Sequence, residues 1–86
     1  MSLILPSWFK QRQGKAEPAG ENSCRLTAPN LPEYFIRIEP HADGLWSAQL
    51  RQTADGPAVD VTGANFTKAA DAWAAAFELY RTAVVV

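Results

Sequence analysis

The sequence predicts an α+β domain: a small antiparallel three-stranded sheet packed on one C-terminal helix, in the order β-β-β-α, with a short helix near the N-terminus. Three observations predict it. Residues Thr67 to Arg81 (TKAADAWAAAFELYR) repeat apolar side chains at helical spacing. Residues Tyr34 to Glu39 and Leu45 to Arg51 alternate apolar and polar side chains, as a half-buried strand does. Asp43-Gly44 and Asp55-Gly56-Pro57 stand after these two runs as turn signals.

In the helix, Ala70, Trp73, Phe77, Tyr80 and Val84 recur at steps of three and four, which places them on one stripe that must be buried. The alanines at 72, 74, 75 and 76 favour the helix and let another element approach closely. Thr67 is the expected N-cap, because its hydroxyl can accept an N–H of the first turn.

The two alternating runs pair across the His41–Gly44 turn. Setting Ile38 opposite Trp46 puts Ile36 on Ala48 and Tyr34 on Leu50, so the apolar residues share a face, and Gly44 takes a positive φ. A third strand, Ala58 to Thr62, is expected to turn Val59 and Val61 inward and Asp60 and Thr62 outward. The helix then covers Tyr34, Ile36, Ile38, Trp46, Ala48, Leu50, Val59 and Val61. The opposite face carries Phe35, Arg37, Glu39, Leu45, Ser47, Gln49 and Arg51, which is mixed rather than plainly solvent-like.

Before the sheet, Ser7 to Gln13 reads as a short helix, with Ser7 as N-cap and Gly14 as its stop. Residues 14–32 are rich in Gly, Pro, Ala, Asn and Ser and read as a linker or irregular loop. Only Cys24 to Thr27 alternates, as a short edge strand. The organisation expected is an N-terminal arm over 1–32 and a β-β-β-α domain over 33–86. Leu3, Leu5, Trp8 and Phe9 either fold back over sheet or, with Trp8 and Phe9 as anchors, meet a partner. The apolar end Ala83 to Val86 either extends the helix stripe or adds an edge strand to another copy.

Eighty-six residues allow one modest core, and 48% hydrophobic and 20% charged residues fit a folded chain. The net charge of −1 lacks the signature of a general nucleic-acid binder. Residues 1–30 nevertheless carry Lys10, Arg12, Lys15 and Arg25 against Glu17 and Glu21, a net +2, while residues 31–86 are net −3. Cys24 is the only cysteine, which excludes an internal disulfide and suits a reducing cytoplasm. The opening MSLILP is too short for a signal peptide or a membrane span, so a cytoplasmic chain is expected.

Catalytic groups are not evident. His41 is the one histidine and sits in a turn, with no Ser or Cys at a recognisable spacing. His41 and Asp43 are two apart, but two ligands on a hairpin tip do not make a metal site. Gly56 and Gly63 are isolated and form no phosphate-cradling loop. No catalytic residue, metal or cofactor is expected.

Two resemblances follow. The order helix, three strands, helix, with Gly63 to Lys68 leading into Ala70, Ala74, Ala75 and Leu79, resembles the double-stranded-RNA-binding domain. Of the three phosphate-contacting basic positions which that family implies, only Lys68 matches, while Thr67 and Asp71 occupy the others. Residues 34–82 are similar to the small HicB-type antitoxin domain: Tyr34 to Glu39, then Asp43-Gly44-Leu45-Trp46-Ser47-Ala48, then Thr67 entering an alanine-rich helix. That resemblance implies binding and blocking a toxin partner. The family's Pro-x-Leu-Pro-Gly type segment is not found after the second expected strand, and without a DNA-binding element after the helix no self-regulation of an operon is expected.

The function expected is a non-enzymatic protein-binding module, a bacterial or phage-type regulator or inhibitor that occupies a partner protein. Its contacts would be Phe35, Arg37, Leu45 and Arg51 on the sheet with Trp8 and Phe9, since aromatics and Arg dominate binding hot spots. Self-association through the same face is a further expectation. The alternative is a nucleic-acid binder using Lys10, Arg12, Lys15 and Lys68.

Overall fold

A computed structural model describes residues 5–84. It contains α1 (Ser7–Gln11), β1 (Lys15–Pro18), β2 (Ser23–Ala28), β3 (Leu31–Pro40), β4 (Trp46–Arg51), β5 (Ala58–Val61) and α2 (Ala69–Val84). The strands form one antiparallel meander in the order β1-β2-β3-β4-β5, and α2 lies across β3 and β4. The α+β class holds, but the sheet has five strands rather than three.

The two additional strands come from residues 14–32, expected to be a loop. The Pro and Asn residues there make tight turns rather than irregular chain. Pro29-Asn30 joins β2 to β3, with Ala28 opposite Leu31 and Asn30 at φ 64°. A φ fixed by proline followed by a positive φ is the signature of a type II turn. Gly20 and Asn22, at φ 122° and 57°, turn β1 into β2, with the Ser23 N–H returning to the Gly20 carbonyl. Cys24 and Leu26 then face the core, so β2 is an interior strand and not an edge.

The β3–β4 hairpin pairs Ile38 with Ala48 and Ile36 with Leu50, leaving Pro40 opposite Trp46. This is two residues from the expected register. Because side-chain direction repeats every two residues, the apolar face is unchanged. The loop from His41 to Leu45 is correspondingly longer, and Gly44 takes φ 75° as expected.

The third expected strand is turned over. Val61 lies opposite Gln49, whose side chain points away from α2, and a register shift at Leu50/Arg51 follows. Val61 is therefore 56% exposed instead of inward, and Val59, which has no partner residue at the shift, is 51% exposed. Alternation alone could not assign the face; pairing with Gln49 does.

Helix α2 begins at Ala69, with the Lys68 carbonyl accepting the first bonds from Asp71 and Ala72 rather than Thr67 capping by its hydroxyl. Its buried stripe is Ala72, Trp73, Ala76, Phe77 and Tyr80, with Val84 half-buried at its end. Ala70 is exposed, since a 3.6-residue period through Trp73 and Phe77 runs through 69, 72 and 76 instead. Of the apolar C-terminal end, Ala83 and Val84 belong to α2, and Val85 and Val86 lie outside the described residues, as does Leu3.

Phe9 and Trp8 pack beside α2. Phe9 is fully buried, with its ring centroid 5.4 Å from Phe77 and 5.7 Å from Tyr80. Trp8 stacks on Tyr80 at 5.9 Å, and Tyr34 meets Tyr80 edge-on at 6.0 Å. Helix α1 starts after Pro6, with Ser7 already helical and no side-chain cap. It ends where Gly14 N–H returns to the Phe9 carbonyl and Gln13, at φ 58°, returns to Lys10. A Cβ on Gly14 would lie 2.3 Å from the Phe9 ring, so glycine is required there for close approach.

Phe9→Ala is expected to cost about 3–5 kcal/mol, the usual loss for a buried phenylalanine, read as a lowered denaturant midpoint at unchanged slope. A loss below about 1 kcal/mol would mean that α1 is outside the cooperative core. The Tyr80 hydroxyl is buried without a hydrogen-bond partner among the described residues. Burial pushes its pKa up; the nearby Arg12 charge opposes this and Tyr34 adds to it. Above about pH 10 the unfolded chain releases a proton that the folded chain keeps, so stability falls as pH rises. Tyr80→Phe should remove that alkaline loss and leave stability at pH 7 equal or higher by roughly 1 kcal/mol, measured by thermal unfolding across pH 7–11.

Candidate partner-binding face

The face of the sheet turned away from α2 is assembled by register. Phe35 stands between Arg25 on β2 and Arg51 on β4, each directly opposite it. Arg37 follows Phe35 on the same side of β3, opposite Gln49, and Gln49 is opposite Val61. Phe35 and Arg51 are half-buried, while Arg25, Arg37, Val59 and Val61 are exposed. An aromatic ring thus lies among three arginines, with two exposed valines on the adjoining edge strand.

The arginines are not equivalent. Arg25 pairs with Glu33 at 3.0 Å, and Arg37 sits 3.8 Å from Glu39. Such exposed pairs contribute about 0–1 kcal/mol to stability, but they match each charge locally. Arg51 is held by neutral acceptors. Its Nε and Nη2 donate to Gln49 Oε1 at 3.2 and 2.7 Å, and its Nη1 donates to the Gly56 carbonyl at 3.0 Å.

Of the residues expected to form a binding site, Phe35, Arg37 and Arg51 come together. Leu45 does not join them: it precedes β4 at the other end of the strand, about 20 Å from Arg51 at ~3.4 Å per residue. Trp8 and Phe9 lie in the aromatic cluster around Tyr80 and serve the core, so they are not exposed anchors. Arg25, Val59 and Val61 are the members that sequence reading missed, while Gln49 was already placed on this face by its alternation. The alternation of Cys24 to Thr27 already set Arg25 opposite in direction to Cys24 and Leu26. The face of β5, by contrast, depended on its pairing.

The four basic residues of the nucleic-acid alternative do not converge. Lys15 is on the edge strand β1, Lys10 and Arg12 lie in and just after α1 beside Tyr80, and Lys68 begins α2. Lys68 and Tyr80 are separated by roughly 18 Å of helix. A shallow groove of about 410 Å³ near the start of α2 is lined by Phe66, Ala74, Ala75, Asp71 and Glu78, whose carboxylates oppose phosphate.

His41 Nε2 and Ser47 Oγ lie 2.9 Å apart across the hairpin, a pair six residues distant in sequence. Ser47 is buried, and the bond fastens the long loop back on β4. Cys24 is buried, which pushes its thiol pKa up and disfavours the reactive thiolate. Among the described residues no group of three or more His, Cys, Asp or Glu could hold a metal ion, and no helix is long and apolar enough to cross a membrane.

Both sheet edges are blunted. β1 carries Lys15 and Glu17 and ends on Pro18, which has no N–H to offer. On β5 the Thr62 N–H bonds the Ala48 carbonyl, so the Val61 N–H points to the free edge, where the Asp60 carboxylate takes it at 2.9 Å. Asp60→Val would free that donor and leave four apolar residues on an open edge. Concentration-dependent self-association above that of the parent chain is expected in light scattering; unchanged scattering would remove this role for Asp60.

No protein-family model, curated protein or solved structure matches the chain.

Proposed function

We propose that the chain is a small non-enzymatic protein-binding module, a regulator or inhibitor that acts by occupying a partner protein with the open face of its sheet. The observation that carries this reading is Phe35 set between Arg25 and Arg51, beside exposed Val59 and Val61. Single exposed apolar residues are ordinary on a protein surface. Here Val61 shares a sheet face with an aromatic ring and three arginines, the residue types that dominate interface hot spots. Blunted edges favour docking on the face over extension of the sheet by a partner strand.

The test is capture of a partner from the native host on the immobilised chain, compared with the Phe35→Ala/Val61→Asp double variant and with Glu78→Gln on α2 as a control. Retention should fall more than about tenfold in the double variant, two lost hot-spot contacts, and should be unchanged in the control. No retained protein, or full retention by the double variant, defeats the reading. A parent dimer that Val61→Asp dissociates in light scattering would assign the face to self-association instead.

A further inference from the structure

Resting on the reading of the open sheet face as a docking surface, we infer that its partner supplies a carboxylate, from Asp or Glu among aliphatic side chains, to Arg51. A guanidinium has five N–H donors in a rigid planar fork. Arg51 spends three on Gln49 Oε1 and the Gly56 carbonyl, so two remain. Both acceptors are neutral, so the positive charge is oriented but unmatched by any carboxylate in its own hydrogen bonds. One carboxylate, with two oxygens, complements two donors and one charge.

The surroundings select the rest of the partner. Phe35 is directly opposite Arg51, and Ala58 of the valine-bearing strand β5 pairs with Arg51 from the other side. A carboxylate that reached Arg51 would therefore bring its neighbours onto Phe35, Val59 and Val61, where aliphatic side chains lose least by leaving water. Bracing from β4 and from the β4–β5 turn also fixes the guanidinium before binding, which lowers the ordering cost of the contact.

A nucleic acid fits less well. Successive phosphates need successive unmatched cations, and the neighbouring Arg25 and Arg37 already face Glu33 and Glu39. A strand of phosphates would meet those carboxylates on the same face. A single protein carboxylate asks only for Arg51.

The experiment is selection of a displayed random dodecapeptide library on the immobilised full-length chain, followed by affinity measurement of the enriched peptides. Enriched sequences should hold an Asp or Glu flanked by aliphatic residues. Replacing that acid by its amide, or making Arg51→Gln, should each weaken binding at least about tenfold, and the two changes together should cost little more than either alone. Arg51→Lys keeps the charge without the fork and should fall between. Thermal unfolding of both Arg51 variants checks that the fold persists, and amide replacement in the peptide tests the contact without altering the protein. No enrichment, peptides without a fixed acid, or losses that simply add overturn the inference. So does low-salt binding of a duplex oligonucleotide that Arg51→Gln abolishes. If the host partner is lost on Phe35→Ala/Val61→Asp but kept on Arg51→Gln, protein binding stands and the carboxylate falls. If acidic peptides couple to Arg51 while no host protein is captured, the opposite holds.

Discussion

One helix cannot cover five strands, and the rest of this structure follows from that mismatch. Strands spaced ~4.8 Å apart make a sheet about 19 Å across between its outer strands, whereas a helix with its side chains is about 10–12 Å wide. Helix α2 lies over β3 and β4, where Ile36, Ile38, Ala48 and Leu50 meet Trp73, Phe77 and the small Ala72 and Ala76. Cover beyond α2 comes from α1: Phe9 seals the flank of Phe77 and Tyr80 within the buried cluster that also holds Leu26. β5 gets no such cover among the described residues, and Val61 turns to the opposite side.

That arrangement explains why residues 5–32 are integral and not an appendage. Phe9 has no exposed surface, and its ring sits where a side chain at position 14 would otherwise be. The aromatic cluster achieves closure at a cost. The Trp8 and Trp73 Nε1 atoms and the Tyr80 hydroxyl are all buried without protein partners among the described residues. Buried polar atoms of this kind each forgo about 1–3 kcal/mol, which the large apolar area of the rings must offset.

The strongly periodic segments were legible in the sequence, and the segments set by pairing were not. Trp73, Phe77 and Tyr80 announce α2, and the alternation in β3 and β4 puts Ile36, Ile38, Ala48 and Leu50 together even with the hairpin register two residues off. In contrast, β1 is only four residues long and β2 hides its alternation between Gly20, Asn22, Pro29 and Asn30. Those residues mark tight turns as readily as loops, and only the neighbouring strand decides between them. For β5, Ala58 to Val61 would alternate equally well with either face inward. The deciding fact is its register on β4, a contact across the intervening turn that local periodicity does not encode.

The same register makes the open face more than a leftover. Had β5 slipped by one residue, Asp60 would stand beside Gln49, and Val59 and Val61 would line the uncovered margin on the helix side, away from Phe35 and Arg51. As it stands, Asp60 is free to take the edge N–H of Val61, while Val61 extends the face that carries Gln49 and Arg51. One pairing choice thus closes the edge to strand addition and sets the apolar rim beside the braced guanidinium of Arg51. Edge protection and an open face that sets an aromatic ring, an exposed valine and guanidinium groups together are two consequences of a single alignment.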